Sequence, residues 1–350
     1  MAEEVWAERD TSPAKIEAAL RKLETSRAED DTPFVPARVM NLVVVADAEF
    51  RGEVENRLQR VGRYHPSRLV LCAVEERRTT LDAWARIGTE DAPGDGELVV
   101  ARETVEIRCG AKHLSALDTI VDPLLVSDLA TMVWAPHGHS EAMDALRRLA
   151  QIVLVDTLEE PDVAAGLRRA DELSESAYVV DLAWLRSTPW RERVAATFDP
   201  PALRRALASV SKVTVRHRED SLAPALLFCG WLSSRLGWKP EQLAHAQGRV
   251  MGHARGRRQQ VELRLEPVRQ NAPGLSGVTV EIASGEAVSL DRSTGGLKAA
   301  RRLRDGSEQE WRILGASRGE AGILGEGVRQ ALLRDPTYRP ALACAQAFAP

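Results

Sequence analysis

The residues with the plainest capacity for chemistry are three cations around a proline corner, Arg63, His65 and Arg68 in "RYHPSR". Guanidinium and imidazolium donors set this close can hold a carboxylate or a phosphate, as a sugar-phosphate or nucleotide-binding sensor or enzyme would require. Arginines at a helix end equally satisfy its last carbonyls and its dipole. A second cluster, "HGH" at His137–His139, supplies two imidazoles but no third ligand by motif, so it reads as two solvated loop histidines and no metal is assigned. The basic run "HARGRRQQ", residues 253–260 with Arg255, Arg257 and Arg258, has no interleaved aromatic residue, which favours a solvated loop over nucleic-acid contact.

The most decorated stretch is "DLAWLRSTPWRERVAATFDPP", residues 181–201. Trp184, Trp190 and Phe198 are spaced too irregularly for one helical stripe, so they are expected in different surroundings. Ser187, Thr188 and Pro189 read as a cap and first turn for the helix "PWRERVAATF". Tryptophan beside arginine is the composition of interface hot spots, although an indole between sheet and helix is also ordinary core, above all at Trp184.

Other reaction classes find no support. The junction "VVVADAEFRGEV" places Asp47 and Glu49 where a phosphate loop needs glycine, and neither GxGxxG nor GxxxxGK[ST] occurs there. No GxSxG elbow is present, so no catalytic residue and no cofactor are assigned. Cys72, Cys109, Cys229 and Cys344 form no CxxC pair and read as small buried hydrophobes. A net charge of -4 on 350 residues offers no global attraction to nucleic acid or anionic lipid. The N-terminus is acidic from its third residue and no run of about 18 apolar residues occurs, so a cytoplasmic protein without a membrane segment is expected.

The elements that must carry these residues follow from periodicity. Residues 12–27 read as an amphipathic helix and "AEDDTPFVPAR" as a linker, which makes 1–37 an N-terminal helix and linker. From 38 to 199 apolar runs alternate with helical periods: "VMNLVVVAD", "EFRGEVENRLQRVG", "SRLVLCAVEER", then "ATMVWAP", "SEAMDALRRLAQ", "QIVLVDT", "DVAAGLRRADELSES" and a strand "AYVVDLAWL". This predicts an α/β domain with a doubly wound, mostly parallel sheet; the alternation in "LVVARETVEIRCG" adds a half-exposed strand, and residues 81–97 read as polar after Trp84. Residues 200–350 should form a smaller α+β domain, in which "QVELRLEPVR", "SGVTVEIAS" and "EAVSLDRS" succeed one another as an antiparallel meander.

Taken in order, "MNLVVV", "RYHPSR", "DPLLVSDLATMVWAP", "DLAWLRSTPWRERVAATFD" and "LLFCGWLSSRLGW" resemble the characteristic blocks of the OpcA family, the bacterial glucose-6-phosphate dehydrogenase assembly proteins. The resemblance runs from about residue 30 to the C-terminus, and Asp181, Trp184, Arg186, Thr188, Pro189, Trp190 and Arg191 match one block. The chain departs from the pattern at Ala135, where a second tryptophan is usual, and at "HGH", which replaces a shorter Pro-Gly loop. The resemblance implies a non-catalytic assembly factor and allosteric activator that binds glucose-6-phosphate dehydrogenase and promotes its active oligomer. It also makes Trp184, Arg186, Thr188, Pro189, Trp190 and Arg191 part of the docking surface, or the rigid frame beneath it.

Overall fold

The computed structural model describes residues 4–29, 38–62, 66–89, 101–257, 259–314 and 320–350. Arg63, His65, Arg258 and most of the expected linker lie outside them. The chain divides into two compact units, each built around one sheet, so the α/β class holds. No helix among the described residues is long and apolar enough to cross a membrane.

The first unit takes residues up to Val155 together with Ser176–Val180 and Leu324–Leu333. Its elements are β1 (Glu4–Glu8), α1 (Pro13–Glu29), β2 (Met40–Asp47), α2 (Arg51–Gly62), β3 (Ser67–Val74), β4 (Asp82–Thr89), β5 (Ala101–Cys109), α3 (Leu117–Val121), β6 (Thr131–Trp134), α4 (Ser140–Leu146), β7 (Ile152–Val155) and β8 (Tyr178–Asp181). The sheet order is β1-β4-β5-β3-β2-β6-β7-β8. β2 is buried along nearly its whole length and pairs in parallel with β3 on one side and β6 on the other, as a continuous Val-rich run demands. The chain thus winds outward from β2 in both directions, the expected doubly wound arrangement.

β1 and β4 were not legible and make the sheet mixed: β4 runs antiparallel to β5, and β1 antiparallel to β4. Within β4 the core face consists of Ala83, Ala85 and Ile87, each fully buried. Two small alanines conceal a strand period that larger side chains would announce.

The second unit takes Asp156–Glu175, Asp181–Ile323 and Arg334–Pro350. It contains α5 (Val163–Ser174), α6 (Leu182–Arg186), α7 (Thr188–Phe198), α8 (Pro201–Ala206), β9 (Val210–Arg218), α9 (Leu222–Leu236), β10 (Lys239–Pro240), β11 (Ala244–Ala246), β12 (Arg249–Arg255), β13 (Gln260–Val268), β14 (Leu275–Ile282), β15 (Ala287–Ser293), β16 (Gly296–Arg302), β17 (Glu308–Leu314), the start of α10 (Glu320–Leu333) and α11 (Tyr338–Phe348). β9 is central, parallel to β13 and antiparallel to β14, so it separates the first strand of the expected meander, β13, from the second; β14 and β15 do pair in succession as expected, and β16 and β17 continue that antiparallel run. α9 buries most of its residues, from Ala223 to Gly230 with Leu232 and Ser233, and packs on β9, β13 and α11; at Gly230 it approaches α11 so closely that a Cβ would lie 2.1 Å from the Ala341 carbonyl oxygen.

The chain enters this unit at Asp156, well before residue 200, because α5 packs on α11 and α6 packs on α9. The second unit is therefore the larger of the two rather than the smaller.

Candidate functional site

The Trp/Arg stretch begins where β8 ends. The expected strand "AYVVDLAWL" stops at Asp181, whose side chain caps α6 by accepting from Ala183 N at 2.9 Å. A capping carboxylate satisfies a free helix N–H, so the apolar run after it coils instead of extending. Asp181 Oδ1 also accepts from Thr157 N at 3.2 Å, while Oδ2 accepts from the Thr157 hydroxyl at 2.8 Å and the Tyr338 hydroxyl at 3.1 Å. The carboxyl is pushed up to about 6, first by burial and then by the charge of Asp156, against the hydrogen bonds from Thr157 and Ala183.

At the other end of α6, Arg186 grips Asp156 with both Nη atoms, each 2.7 Å from a carboxylate oxygen. The two side chains are 7% and 2% exposed, which makes this a buried fork of the kind that only arginine can form.

Trp184 and Arg191 form the second half of the cluster. The Arg191 guanidinium lies 3.4 Å from the centroid of the Trp184 ring, and the indole Nε1 donates to Asp335 Oδ2 at 2.9 Å. Ser187 stands at the cap position of α7 without capping it: its hydroxyl donates to the Trp184 carbonyl at 2.7 Å and accepts from Arg191 Nε at 3.0 Å. Arg191 Nη2 donates to the Thr188 hydroxyl at 2.8 Å. Burial lowers the Arg191 group to about 10 against the pull of Asp335 and Glu192, so it stays charged at neutral pH. Burial opposes the charge on Asp335 too, but hydrogen bonds from Thr337 and Trp184 with the nearby Arg191 outweigh it and hold that carboxyl below its ordinary range. Tyr338 closes the cluster, its ring centroid 5.6 Å from that of Trp184.

Trp190 points elsewhere, as its spacing predicts. It is buried with the Arg292 guanidinium 5.9 Å from its ring centroid. Of the six candidate docking residues, Trp184, Trp190 and Arg191 are buried, the Arg186 side chain is nearly so, and Thr188 and Pro189 are half-exposed. The cluster engages each of its three carboxylates with donors of its own, and within the second unit it cross-links Asp156, Thr157 and Asp181 to α6, α7 and the turn before α11. Asp156, Thr157, Asp335 and Tyr338 were not singled out from the sequence. Oδ1 of Asp335 shapes the turn before α11 by accepting from Thr337 N at 2.8 Å.

The other candidates lie apart from this cluster. Arg68, in β3, is buried and committed: Nε donates to Glu103 at 2.9 Å, Nη1 to the Leu124 carbonyl at 3.0 Å, and Nη2 to Glu24. Its charge is balanced within the fold, and its intended companions Arg63 and His65 fall outside the described residues. His137 and His139 are half-buried rather than solvated. The His137 ring packs against Phe50 with centroids 4.4 Å apart, and His139 Nε2 is 3.2 Å from Asp47 Oδ1. Among the described residues no group of three His, Cys, Asp or Glu side chains could hold a metal ion. Of the basic run, His253 to Arg255 belong to β12, where Arg255 donates to Glu241 at 3.1 Å. The four cysteines are free thiols. Burial raises Cys109 to about 11 and Cys229 to about 12, which leaves both protonated and inert at neutral pH.

Comparison with known proteins adds what geometry alone does not carry. A family model described as the glucose-6-phosphate dehydrogenase subunit N-terminal domain matches residues 58–172, and one for the C-terminal domain of that subunit matches residues 177–342. The sequence is 27% identical over 242 residues to a protein of Synechococcus elongatus named OpcA for the OxPP cycle, a match covering 67% of this chain and 52% of that protein. A protein of the same name from Nostoc punctiforme is 30% identical over 146 residues, covering 41% of this chain and 31% of that one. The chain thus aligns with about half, or less, of the length of these relatives. Among solved structures, the transcriptional regulator Gal80p of Kluyveromyces lactis aligns with a TM-score of 0.45 and 6% identity over 89% of this chain and 88% of that one.

Proposed function

From the premise that this chain belongs to the OpcA family of glucose-6-phosphate dehydrogenase subunits, we propose that it is a non-catalytic assembly factor that binds the dehydrogenase and favours its active oligomer. The observation that carries this reading is that the family's Trp/Arg block is spent on internal cross-linking. Asp181, Arg186, Trp184 and Arg191 find their partners in Thr157, Asp156 and Asp335. A rigid buried frame with a half-exposed rim suits a docking surface. In this proposal Thr188 and Pro189, with the exposed Glu192, touch the dehydrogenase, while Trp184, Arg186, Trp190 and Arg191 hold that rim in place.

Binding changes the dehydrogenase only if the active form is bound more tightly than the inactive one. Raising the ratio of active to inactive a hundredfold takes about 2.7 kcal/mol of differential affinity, which a few well-placed contacts supply. The test is the rate of the cognate purified dehydrogenase, followed together with its oligomeric mass, as this protein is added. Rate and mass should rise together and saturate. If neither changes across the micromolar range, the proposal fails.

A further inference from the structure

The outer edge of the second unit's sheet is β17, which among the described residues hydrogen-bonds on one side only, to β16. A free edge strand offers a row of unpaired backbone donors and acceptors to another chain. This one is not blunted by proline or lysine. Its sequence is Glu308-Gln309-Glu310-Trp311-Arg312-Ile313-Leu314, with Trp311 39% and Leu314 78% exposed. The charges are disposed about Trp311, Glu310 before it and Arg312 after it. Register with β16 puts Arg312 opposite Lys298, a like charge, and Arg312 has no carboxylate partner among the described residues. Lys298 turns instead to Glu310 at 2.6 Å, an ion pair in which both side chains remain about half-exposed.

We propose that β17 pairs antiparallel with β17 of a second copy of this chain, about a twofold axis through Trp311. In that register Glu310 of each copy lies opposite Arg312 of the other, so both arginines gain the carboxylate they lack within their own chain. Gln309 faces Ile313, and the two Trp311 rings meet on the opposite face of the ladder from the ion pairs, as side-chain alternation requires. The contact is isologous and closes at two copies. It stands on β17 alone and is independent of the dehydrogenase proposal.

Sedimentation equilibrium of the full chain between about 1 and 300 µM tests it. A seven-residue ladder is smaller than a standard interface, so a dissociation constant on the order of tens of micromolar is expected. Arg312→Glu or Glu310→Arg turns both cross-strand pairs repulsive and should weaken the dimer at least about tenfold; the double variant restores both pairs and should return it to within about threefold of the parent. Three outcomes overturn the proposal: a monomer at every concentration, a dimer indifferent to Arg312→Glu, or a double variant as weak as the singles. If the chain is monomeric and Arg312→Glu instead abolishes binding to glucose-6-phosphate dehydrogenase, the edge belongs to that partner and self-pairing is again overturned.

Discussion

Asp181 is a carboxylate taken wholly out of water and placed near a second one, Asp156, with its upward-shifted titration as the consequence. Its folded-state value of about 6 exceeds the unfolded one of about 4, so the folded protein binds the extra proton between them and stability drains away as pH rises through that window. Asp181→Asn removes this loss. An asparagine oxygen can still accept from Thr157 N and Ala183 N, and the rotatable hydroxyls of Thr157 and Tyr338 can accept from its amide. Between pH 4 and 7 the wild-type chain should lose on the order of 2–3 kcal/mol more stability than Asp181→Asn, read from urea midpoints at each pH; parallel losses would refute the account. Arg186→Ala acts the other way, stranding Asp156 as an uncompensated buried charge at a cost of about 3–5 kcal/mol, and a cost below about 0.5 kcal/mol would show that Asp156 is not held by this fork. The sequence exposed one side of each pair. Asp181, Trp184, Arg186 and Arg191 belong to a legible block, whereas Asp156 and Asp335 sit in ordinary turn sequences that nothing local distinguishes.

Elements were legible wherever one face is made of large side chains. β2, β3, α5, α7, α9 and the strands β13, β14 and β15 all follow from periodicity, because branched and aromatic residues mark the buried face; that β9 inserts between β13 and β14 does not. β4 escaped because alanine fills its core face, and the end of β8 was overrun because a capping aspartate inside an apolar run reads as a blemish in a strand rather than as the start of a helix. The contact of α9 with α11 gives a test at this scale. Gly230→Ala forces its new methyl against the Ala341 carbonyl and should cost about 1–3 kcal/mol of unfolding free energy. Gly325→Ala, in α10 with no atom within 4 Å of the added carbon, should instead stabilise by about 0.5–1 kcal/mol. Equal effects in calorimetry would mean that helix propensity, not the close approach, governs both positions.

At the scale of the molecule, the site depends on sequence-distant pieces: Trp184 to Asp335 spans 151 positions and Asp181 to Tyr338 spans 157. A chain ended at Arg334 keeps the whole Trp/Arg block yet lacks Asp335, Tyr338 and the helix that packs on α5 and α9. Its tryptophan emission should shift to the red; emission like that of the full chain would show that local contacts suffice to hold the block. By itself the sequence determined the α/β class, most of the elements and the family, because apolar periodicity and ordered residue blocks are properties of consecutive positions. Only the tertiary structure decided that the block's tryptophans and arginines face inward, that Arg68 is already neutralised, and that the second unit begins at Asp156. Which way a side chain points, and which distant carboxylate meets it, depends on how whole elements pack against one another, and no stretch of neighbouring residues contains that information.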